Sequence, residues 1–289
     1  MRSKIYVDKT GLIACTNELI NTEQQYLCVS RPRRFGKSMA LKMLAAYYSR
    51  GCDSAALFQG LKIENADTFQ EHLNQYDVIF LNMQQFLIES ESEPLTKYLE
   101  REVLREFRCE YGACLSEQEL GLAAALRRIY VETGRQFILL IDEWDCVMRE
   151  RQESEAMQKQ YLDFLRNLIK DQPYIALAYV TGILPVKKYG EHSALNMFTE
   201  YSMTEQDILE EYTGFTEPEV AELCDRFSMD FHEMSSWYDG YRFATFRHIY
   251  NPQSVVEAMR RHKYLNYWTA TEAYDALKVY IDMDFDGLR

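Results

Sequence analysis

Short apolar runs alternate with longer amphipathic stretches over the first two thirds of the chain. The apolar runs are nearly continuous and predict strands buried on both faces of a sheet: Tyr26–Ser30, Asp77–Met83, Phe137–Ile141 and Ile175–Val180. Helical periodicity occurs at 11–21, 37–50, 94–111, 117–133 and 154–170. Strands that alternate with helices predict an α/β fold, with a mostly parallel sheet between helices. A short fifth strand is predicted at Tyr201–Met203.

The pattern changes after residue 206, where helical segments replace the alternation. We therefore expect a sheet domain at 1–206 and a smaller, truncated helical region at 207–289. Asn251 and Pro252 predict a helix start, because asparagine caps the first turn and proline fits within it. The segment Trp237–Phe243 holds four aromatic residues, which favours an aromatic turn over a platform for nucleic-acid bases.

The octet RPRRFGKS, Arg31 to Ser38, lies between the first strand and an amphipathic helix, and we call it the GKS loop. Strand, loop and helix form the context in which Gly-Lys-Ser binds the phosphates of a nucleoside triphosphate. Gly36 lets the backbone approach phosphate oxygens, and the Lys37 ammonium can bind between the β- and γ-phosphates. Ser38 can offer its hydroxyl to Mg²⁺ at the positive end of the helix.

The GKS loop departs from the usual GxxxxGKS pattern. Arg31 stands where the first glycine is expected, and Pro32 has no N–H to donate to a phosphate. The loop must therefore differ in shape from the usual one. Arg31, Arg33 and Arg34 are candidate substitutes, because guanidinium groups bind phosphate oxygens as a fork. A basic surface turn that only happens to contain GKS is the alternative.

A second motif supplies carboxylates. FILLIDEWD, Phe137 to Asp145, is an apolar strand that ends in adjacent acidic residues. Asp142 can hold Mg²⁺, and Glu143 can polarise the water that attacks the γ-phosphoryl group. Polar residues at a solvent-facing strand end are the alternative, but the order of the two motifs favours a Mg-nucleoside triphosphate site. We therefore predict Glu143 and Lys37 as catalytic residues, and Ser38 and Asp142 as metal ligands.

Thr181 ends the next strand, IALAYVTG. It is a candidate sensor of the γ-phosphate, and a threonine that caps a turn is the alternative. Lys187 and Lys188 follow, and they either reach phosphate or form a solvated basic turn. Arg33 or Arg34 is also a candidate finger that stabilises transition-state charge, in its own site or in that of a neighbouring copy. The predicted nucleotide-binding residues are Arg31, Arg33, Arg34, Phe35, Gly36, Lys37, Ser38, Met39 and Thr181.

Composition limits the choice of partners. The chain has 289 residues, of which 47% are hydrophobic, and a formal net charge of −13. That content is enough for a substantial core, and the acidic balance argues against a broad nucleic-acid surface. We expect neither a membrane span nor a signal peptide, because no apolar run has the required length or flanks. Seven scattered cysteines without a CxxC pair predict reduced thiols, a cytoplasmic location and no zinc site.

The motifs together resemble those of the AAA-ATPase-like family of bacterial proteins. The resemblance rests on YVDKTGLI, SRPRRFGKS, LLIDEWD, YVTGI, SALNMF, WYDGYRF and IYNPQSV, which occur in family order over nearly the whole chain. It implies an ASCE-type P-loop fold, ATP as the nucleotide, and an arginine at position 31 as a normal family feature. Trp144 replaces a tyrosine that is common in the family, and both carboxylates remain. The resemblance also places Asp8–Thr10 near the nucleotide, whereas chemistry alone favours Thr10 as a helix cap.

Family members commonly carry a C-terminal PD-(D/E)XK nuclease-like domain. No lysine in this chain has Asp or Glu two positions before it, so we expect no nuclease activity and either a truncated relative or a fragment. We predict an ATP-binding protein that hydrolyses Mg-ATP to drive or gate a conformational change. A slow-turnover, nucleotide-gated regulatory module and a small-molecule kinase are the alternatives. The expected partner is an unidentified protein or effector domain, and a homo-oligomer is a further alternative.

Overall fold

A parallel sheet forms the centre of the fold. In the computed structural model, which describes residues 5–90, 93–115, 121–186, 195–203, 208–241 and 248–267, its strands are β1 (Tyr26–Ser30), β2 (Asp77–Asn82), β3 (Phe137–Asp142), β4 (Ile175–Gly182) and β5 (Thr199–Tyr201). The strand order is β2-β3-β4-β1-β5, and these pairings are parallel. β4 lies between β1, which precedes the GKS loop, and β3, which ends in the carboxylates. This is the additional strand of an ASCE-type fold, and the predicted fold class is confirmed.

Helices cover both faces of the sheet. In chain order they are α1 (Gly11–Leu19), α2 (Lys37–Tyr48), α3 (Phe69–His72), α4 (Met83–Glu89), α5 (Leu95–Tyr111), α6 (Leu122–Thr133), α7 (Cys146–Glu150), α8 (Glu155–Ile169), α9 (Glu217–Phe227), α10 (Phe231–Tyr238) and α11 (Pro252–Arg261), with 3-10 turns at Ala55–Leu57, Lys62–Asn65 and Glu210–Tyr212. Ile138 and Leu140 of β3 pack with α1 and α2, whereas Leu139 and Ile141 pack with α4 to α8. Because both faces are buried, the strand is continuously apolar. Among the helices of the described residues, none combines the length and apolarity that a membrane span requires.

The main difference from the predicted elements lies in β5, which begins at Thr199 rather than at Tyr201. Its central residue, Glu200, is buried and accepts hydrogen bonds from the Ser30 hydroxyl (3.2 Å) and the Val186 N–H (2.9 Å). A buried carboxylate interrupts the apolar pattern, so a search for apolar runs misplaces the strand. The start of the predicted helix at 117–133 lies outside the described residues, and α6 is described from Leu122 onwards.

The C-terminal region is mostly helical, but it also contains a small antiparallel sheet. Its strands are β6 (Phe215–Thr216), β7 (Asp239–Tyr241) and β8 (Ile249–Tyr250), in the order β6-β8-β7. Strands this short leave no periodic pattern to detect. The aromatic turn expected at Trp237–Phe243 is instead the end of α10 followed by β7, and its last two residues lie outside the described residues. The expected domain boundary near 206 also falls outside them.

The start of α11 agrees with the sequence prediction. The Asn251 side-chain oxygen accepts hydrogen bonds from the backbone N–H groups of Gln253 (3.0 Å) and Ser254 (3.3 Å), and Pro252 is the first helical residue. The cap therefore fixes where the chain enters α11. The Asn251 amide also donates to the carbonyl oxygen of Arg33 (3.4 Å), which connects this helix start to the GKS loop.

The C-terminal region packs directly against the GKS loop through Phe35. This ring is 1% exposed, contacts Ile249, and meets the Tyr241 ring edge to face at a centroid distance of 4.9 Å. The Gly214 N–H donates to the Phe35 carbonyl oxygen (3.1 Å). Gly214 has φ +88°, and a Cβ atom there would lie 2.7 Å from the Ile249 side chain. This close approach therefore requires glycine.

Candidate active site

The carboxyl ends of the central strands lie at one edge of the sheet. Asn82 of β2 pairs with Asp142 of β3, and Ser30 of β1 pairs with Gly182 of β4. The GKS loop and the segment after the β3 carboxylates therefore leave the sheet at the same edge. In open α/β sheets this edge is where ligands bind.

The GKS loop turns sharply before α2. Arg34 (φ +73°) and Gly36 (φ +89°) both have left-handed backbone, which glycine adopts freely and arginine adopts at a cost. The Lys37 ammonium donates hydrogen bonds to the carbonyl oxygens of Arg31 (2.8 Å) and Pro32 (3.0 Å). Lys37 thus links the two ends of the loop.

Lys37 is a buried cation in acidic surroundings. The residue is 6% exposed, and burial lowers its pKa to about 8, although Glu143, Asp145 and Asp142 act in the opposite direction. A negatively charged ligand beside the ammonium would stabilise its protonated form. Such a ligand would therefore oppose the effect of burial on the pKa of Lys37.

Arg31 is wholly buried, and its contacts differ from those expected of a phosphate ligand. Its guanidinium donates to the Thr213 hydroxyl (2.9 Å) and to the carbonyl oxygens of Tyr201 (2.6 Å) and Ser30 (3.0 Å). The side chain thereby joins β1, β5 and the C-terminal region. These contacts favour a packing role over phosphate binding. Sequence reasoning missed this role because arginine is rarely found fully buried.

Arg31→Met is expected to lower the free energy of unfolding by about 3 kcal/mol, because buried acceptors lose their charged donor. The matched variant Arg34→Met changes an exposed residue of the same loop. It should change the free energy of unfolding by less than about 0.5 kcal/mol and weaken ATP binding instead. Urea denaturation and ATP titration measure the two effects, and equal stability of both variants would contradict the packing role.

A cleft of about 750 Å³ opens beside the GKS loop. Its lining on the loop side consists of Arg33, Arg34, Gly36, Lys37, Ser38 and Met39. Its other walls are formed by Gln84, Glu143, Glu150, Pro252, Gln253 and Val256. The last three residues belong to α11, so both parts of the chain contribute to the cleft. The sequence predicts the start of α11, but it carries no signal that α11 lies beside the cleft, because this location depends on long-range packing.

A second cavity, of about 340 Å³, adjoins the cleft on the side of β2 and α4. Ser38, Asp142 and Glu143 line it together with Asn82, Gln84, Gln85, Ile88 and Glu89. Ser38 and Glu143 line both cavities, so the two spaces share a wall. The fold thus brings the predicted metal ligands, Ser38 and Asp142, to the same cavity as the predicted catalytic glutamate.

Thr181 contacts Asp142 directly. The Thr181 hydroxyl donates to a carboxylate oxygen of Asp142 at 2.7 Å, and both residues are buried. This bond leaves the other Asp142 oxygen for further contacts and fixes the orientation of the carboxylate. The Thr181 hydroxyl therefore bonds to a residue of the adjacent strand, β3. The alternative, a threonine that caps a turn, does not describe this contact.

Glu143 has unusual backbone and a charged partner. Its φ of +56° is left-handed, which is uncommon for a residue with a side chain. Its carboxylate forms a short ion pair with the guanidinium of Arg149, which is 8% exposed and also contacts Asp145 (3.2 Å). Sequence reasoning missed Arg149. The available signal was its place in α7, the helix that begins directly after the carboxylate motif.

The end of β4 packs tightly against the same motif. A Cβ atom at Gly182 would lie 2.6 Å from the indole nitrogen of Trp144 and 2.9 Å from a carboxylate oxygen of Asp145. Gly182→Ala is therefore expected to lower the free energy of unfolding by about 1–3 kcal/mol, through overpacking. Gly240→Ala, which has open space at its Cβ position, is the matched control and should be nearly neutral. Thermal and urea unfolding measure both, and equal stability of the two variants would contradict the close packing.

The remaining predicted residues lie elsewhere or outside the description. Asp8 accepts hydrogen bonds from Thr10 and from the Lys62 N–H, and the Lys9 ammonium binds the Glu219 carboxylate at 2.6 Å. Thr10 is the N-cap residue of α1, as predicted, but its side chain makes no capping hydrogen bond and its hydroxyl contacts Asp8 and the Ile63 N–H instead. This segment instead connects the N-terminal part to α9. Lys187 and Lys188 are outside the described residues.

The residues at the sheet edge fit a Mg-nucleotide. The cleft has room for a nucleotide of several hundred Å³ and carries cationic side chains and the N-terminal end of α2 on one wall. In the adjoining cavity, Asp142 and Ser38 offer oxygen ligands of the kind that Mg²⁺ requires. Of the predicted nucleotide-binding residues, Arg31, Phe35 and Thr181 are not part of the cleft lining that the described residues form.

Comparison with solved structures gives similarities at low identity. The chain is similar to a DNA replication initiation factor (TM-score 0.40, 10% identity, 97% of this chain and 66% of that chain). It is also similar to the ORC1 protein of Aeropyrum pernix, solved in complex with DNA (TM-score 0.40, 10% identity, 95% of this chain and 66% of that chain). The chain thus spans about two thirds of the length of each.

Sequence comparison identifies a longer relative and a family. The chain is 25% identical over 272 residues to an uncharacterized protein in the vnfD 5' region of Azotobacter chroococcum mcd 1. The match covers 92% of this chain and 50% of the relative, so the chain spans half of that protein's length. Residues 1–190 match the sequence profile of the AAA-ATPase-like family, described as predicted AAA-ATPases. With well over half of its residues matched, the chain belongs to the AAA-ATPase-like family.

Proposed function

We propose that the chain binds Mg-ATP in the cleft beside the GKS loop and hydrolyses it. One observation carries the proposal: Ser38 of the loop shares a cavity with Asp142, the last residue of β3, and with Glu143, which follows it; Lys37 lines the adjoining cleft. Cationic donors, oxygen ligands for a metal and a candidate general base are the parts that hydrolysis of a nucleoside triphosphate needs.

The side chains of the site have separate roles in this proposal. The Lys37 ammonium exchanges the carbonyl oxygens of the loop for phosphate oxygens, and Arg33 and Arg34 bind the phosphates from the same side. Ser38 and Asp142 hold Mg²⁺, which when bound offsets the charge of the phosphates. Thr181 keeps the Asp142 carboxylate in position through its 2.7 Å hydrogen bond. Glu143 accepts the proton of the attacking water.

The position of α11 supports a link between nucleotide and conformation. Pro252, Gln253 and Val256 line the cleft, and the Asn251 amide contacts the Arg33 carbonyl oxygen. A nucleotide in the cleft would therefore contact the GKS loop and the C-terminal region together. On this basis we propose that hydrolysis drives or gates a movement of the C-terminal region.

Slow, regulatory turnover is the second candidate function. The ion pair between Arg149 and Glu143 supports it, because a carboxylate occupied by a guanidinium is less available to water. A regulatory module would keep bound ATP for many minutes, whereas an efficient ATPase would release phosphate continuously.

Steady-state phosphate release with Mg-ATP tests the proposed function. We expect turnover that requires Mg²⁺ and that is lost in Asp142→Asn, because the asparagine keeps the shape but not the charge of the metal ligand. Exposed Asp163→Asn on α8 is the matched control and should keep the wild-type rate. Tight binding of ATP without turnover would favour the regulatory module, and a melting temperature indifferent to Mg-ATP would contradict both candidates.

A further inference from the structure

Arg149 of α7 forms a bridge between the carboxylates of Glu143 and Asp145, which follow β3. One of its nitrogens, Nη2, pairs with Glu143, and its Nε donates to Asp145 at 3.2 Å. The Arg149 side chain is 8% exposed and that of Asp145 is fully buried, whereas that of Glu143 is 28% exposed. Arg149 therefore lies behind the cleft. It binds Glu143, which is the one of the two carboxylates that lines the cleft.

The other side of this bridge is anchored to the end of β4. The Asp145 oxygen that binds Arg149 also accepts from the backbone N–H groups of Ile183 (3.0 Å) and Leu184 (2.8 Å). These amides follow Thr181, whose hydroxyl binds Asp142. A continuous series of contacts thus runs from Asp142 through the end of β4 to Asp145, Arg149 and Glu143.

The bridge constrains the group that is expected to act on water. The ion pair with Arg149 holds the Glu143 carboxylate in one orientation and takes up part of its capacity to accept hydrogen bonds, and the Arg149 side chain itself is largely shielded from solvent. The left-handed φ of +56° at Glu143 is a strained backbone state that persists only where surrounding contacts hold it. Arg149 and the hydrogen bond from the Trp144 N–H to the Thr181 carbonyl oxygen (3.0 Å) are such contacts.

We propose that Arg149 is a positioning residue that holds Glu143 in a resting state, and that turnover requires the Arg149–Glu143 ion pair to open. This inference rests on the proposed function, because it concerns the glutamate of the same site. When Glu143 is released, the Arg149 guanidinium keeps its contact with the Asp145 carboxylate. The guanidinium therefore has a charged partner in both states. The segment after Thr181 carries the Ile183 and Leu184 amides that bind Asp145. A shift of this segment is a physical route by which a ligand at Asp142 changes the Arg149–Glu143 ion pair.

Arg149→Gln tests the resting state, with Arg149→Lys as the conservative variant. Glutamine removes the ion pair, and we expect kcat for phosphate release to rise at least tenfold while KM for Mg-ATP stays within threefold. Lysine keeps a charge beside buried Asp145 but lacks the fork that reaches both carboxylates, so a smaller rise is expected. If the glutamine variant does not fold, the lysine variant alone supplies the comparison, and a folded lysine variant without a rise overturns the proposal.

The controls separate this inference from the proposed function. Arg151→Gln, two residues further along, should keep the wild-type kcat, because Arg151 bonds only the Glu150 carbonyl oxygen among the contacts described for its guanidinium. Arg149→Gln combined with Glu143→Gln should lose the gain, since the gain depends on the freed glutamate. Wild-type turnover with an equal or lower kcat in folded Arg149→Gln overturns the resting state alone. If wild type and Arg149→Gln both bind Mg-ATP but neither turns it over, the proposed hydrolysis and the resting state of Glu143 are both overturned.

Discussion

Replacing Glu143 with glutamine is expected to lower the rate of phosphate release by about 10²–10⁴-fold, the usual contribution of a general base. Glutamine keeps the size of the side chain and its hydrogen-bonding oxygen, but it cannot take a proton from water. Mg-ATP should still bind, because the groups expected to hold the phosphates and the metal, Lys37, Ser38 and Asp142, are unchanged. Bound ATP should therefore persist in the variant.

Phosphate release and nucleotide retention, measured on the same sample, distinguish loss of catalysis from loss of nucleotide binding. Glu153→Gln changes an exposed glutamate between α7 and α8 and should behave as wild type in both assays. Loss of binding together with turnover in Glu143→Gln would point to a structural role for this glutamate. A rate equal to that of the parent would remove Glu143 from the chemistry.

The second large effect is expected for Lys37→Met. We expect ATP to bind about 10–100-fold more weakly, because a charged hydrogen bond contributes about 1.5–3 kcal/mol and each 1.4 kcal/mol is a factor of ten. Methionine keeps much of the apolar stem, so packing of this buried residue at the start of α2 changes little. The loop carbonyl oxygens of Arg31 and Pro32 lose their donor as well, which is expected to loosen the GKS loop.

Lys42→Met is the matched control for this change. Lys42 is exposed on the same helix and does not line the cleft formed by the described residues, so its loss should leave ATP affinity within about twofold. Equal weakening in the two variants would indicate a general effect of charge rather than a contact at Lys37. Equilibrium titration with a fluorescent ATP analogue measures both affinities.

The parts of the fold that sequence predicts best are those with local causes. β1 to β4 are continuous apolar runs, and their bounds follow from hydrophobicity within a residue or two. The start of α11 follows from a cap and a proline that act within one turn. Glu200 shows the limit, because a buried carboxylate with partners on β1 and beyond β4 looks like a surface residue in the sequence.

The candidate site divides in the same way. Lys37, Ser38, Asp142 and Glu143 were predicted from two short motifs, and the parallel sheet brings their elements to one edge because parallel strands end together. Whether they act on ATP stays a prediction. Arg31 illustrates what a motif cannot give, since its partners, Thr213 and Tyr201, are about 170–180 positions away in the sequence. The wall that α11 contributes to the cleft has the same long-range origin.

An equilibrium titration of the wild-type chain with ATP, with and without Mg²⁺, is the most direct measurement of nucleotide binding at the GKS loop. We expect one ATP bound per chain, tighter with Mg²⁺, and a marked loss of affinity in Lys37→Met but not in Lys42→Met. No binding by the wild type, or binding that Lys37→Met leaves unchanged, would contradict a nucleotide site between the GKS loop and the carboxylates of Asp142 and Glu143.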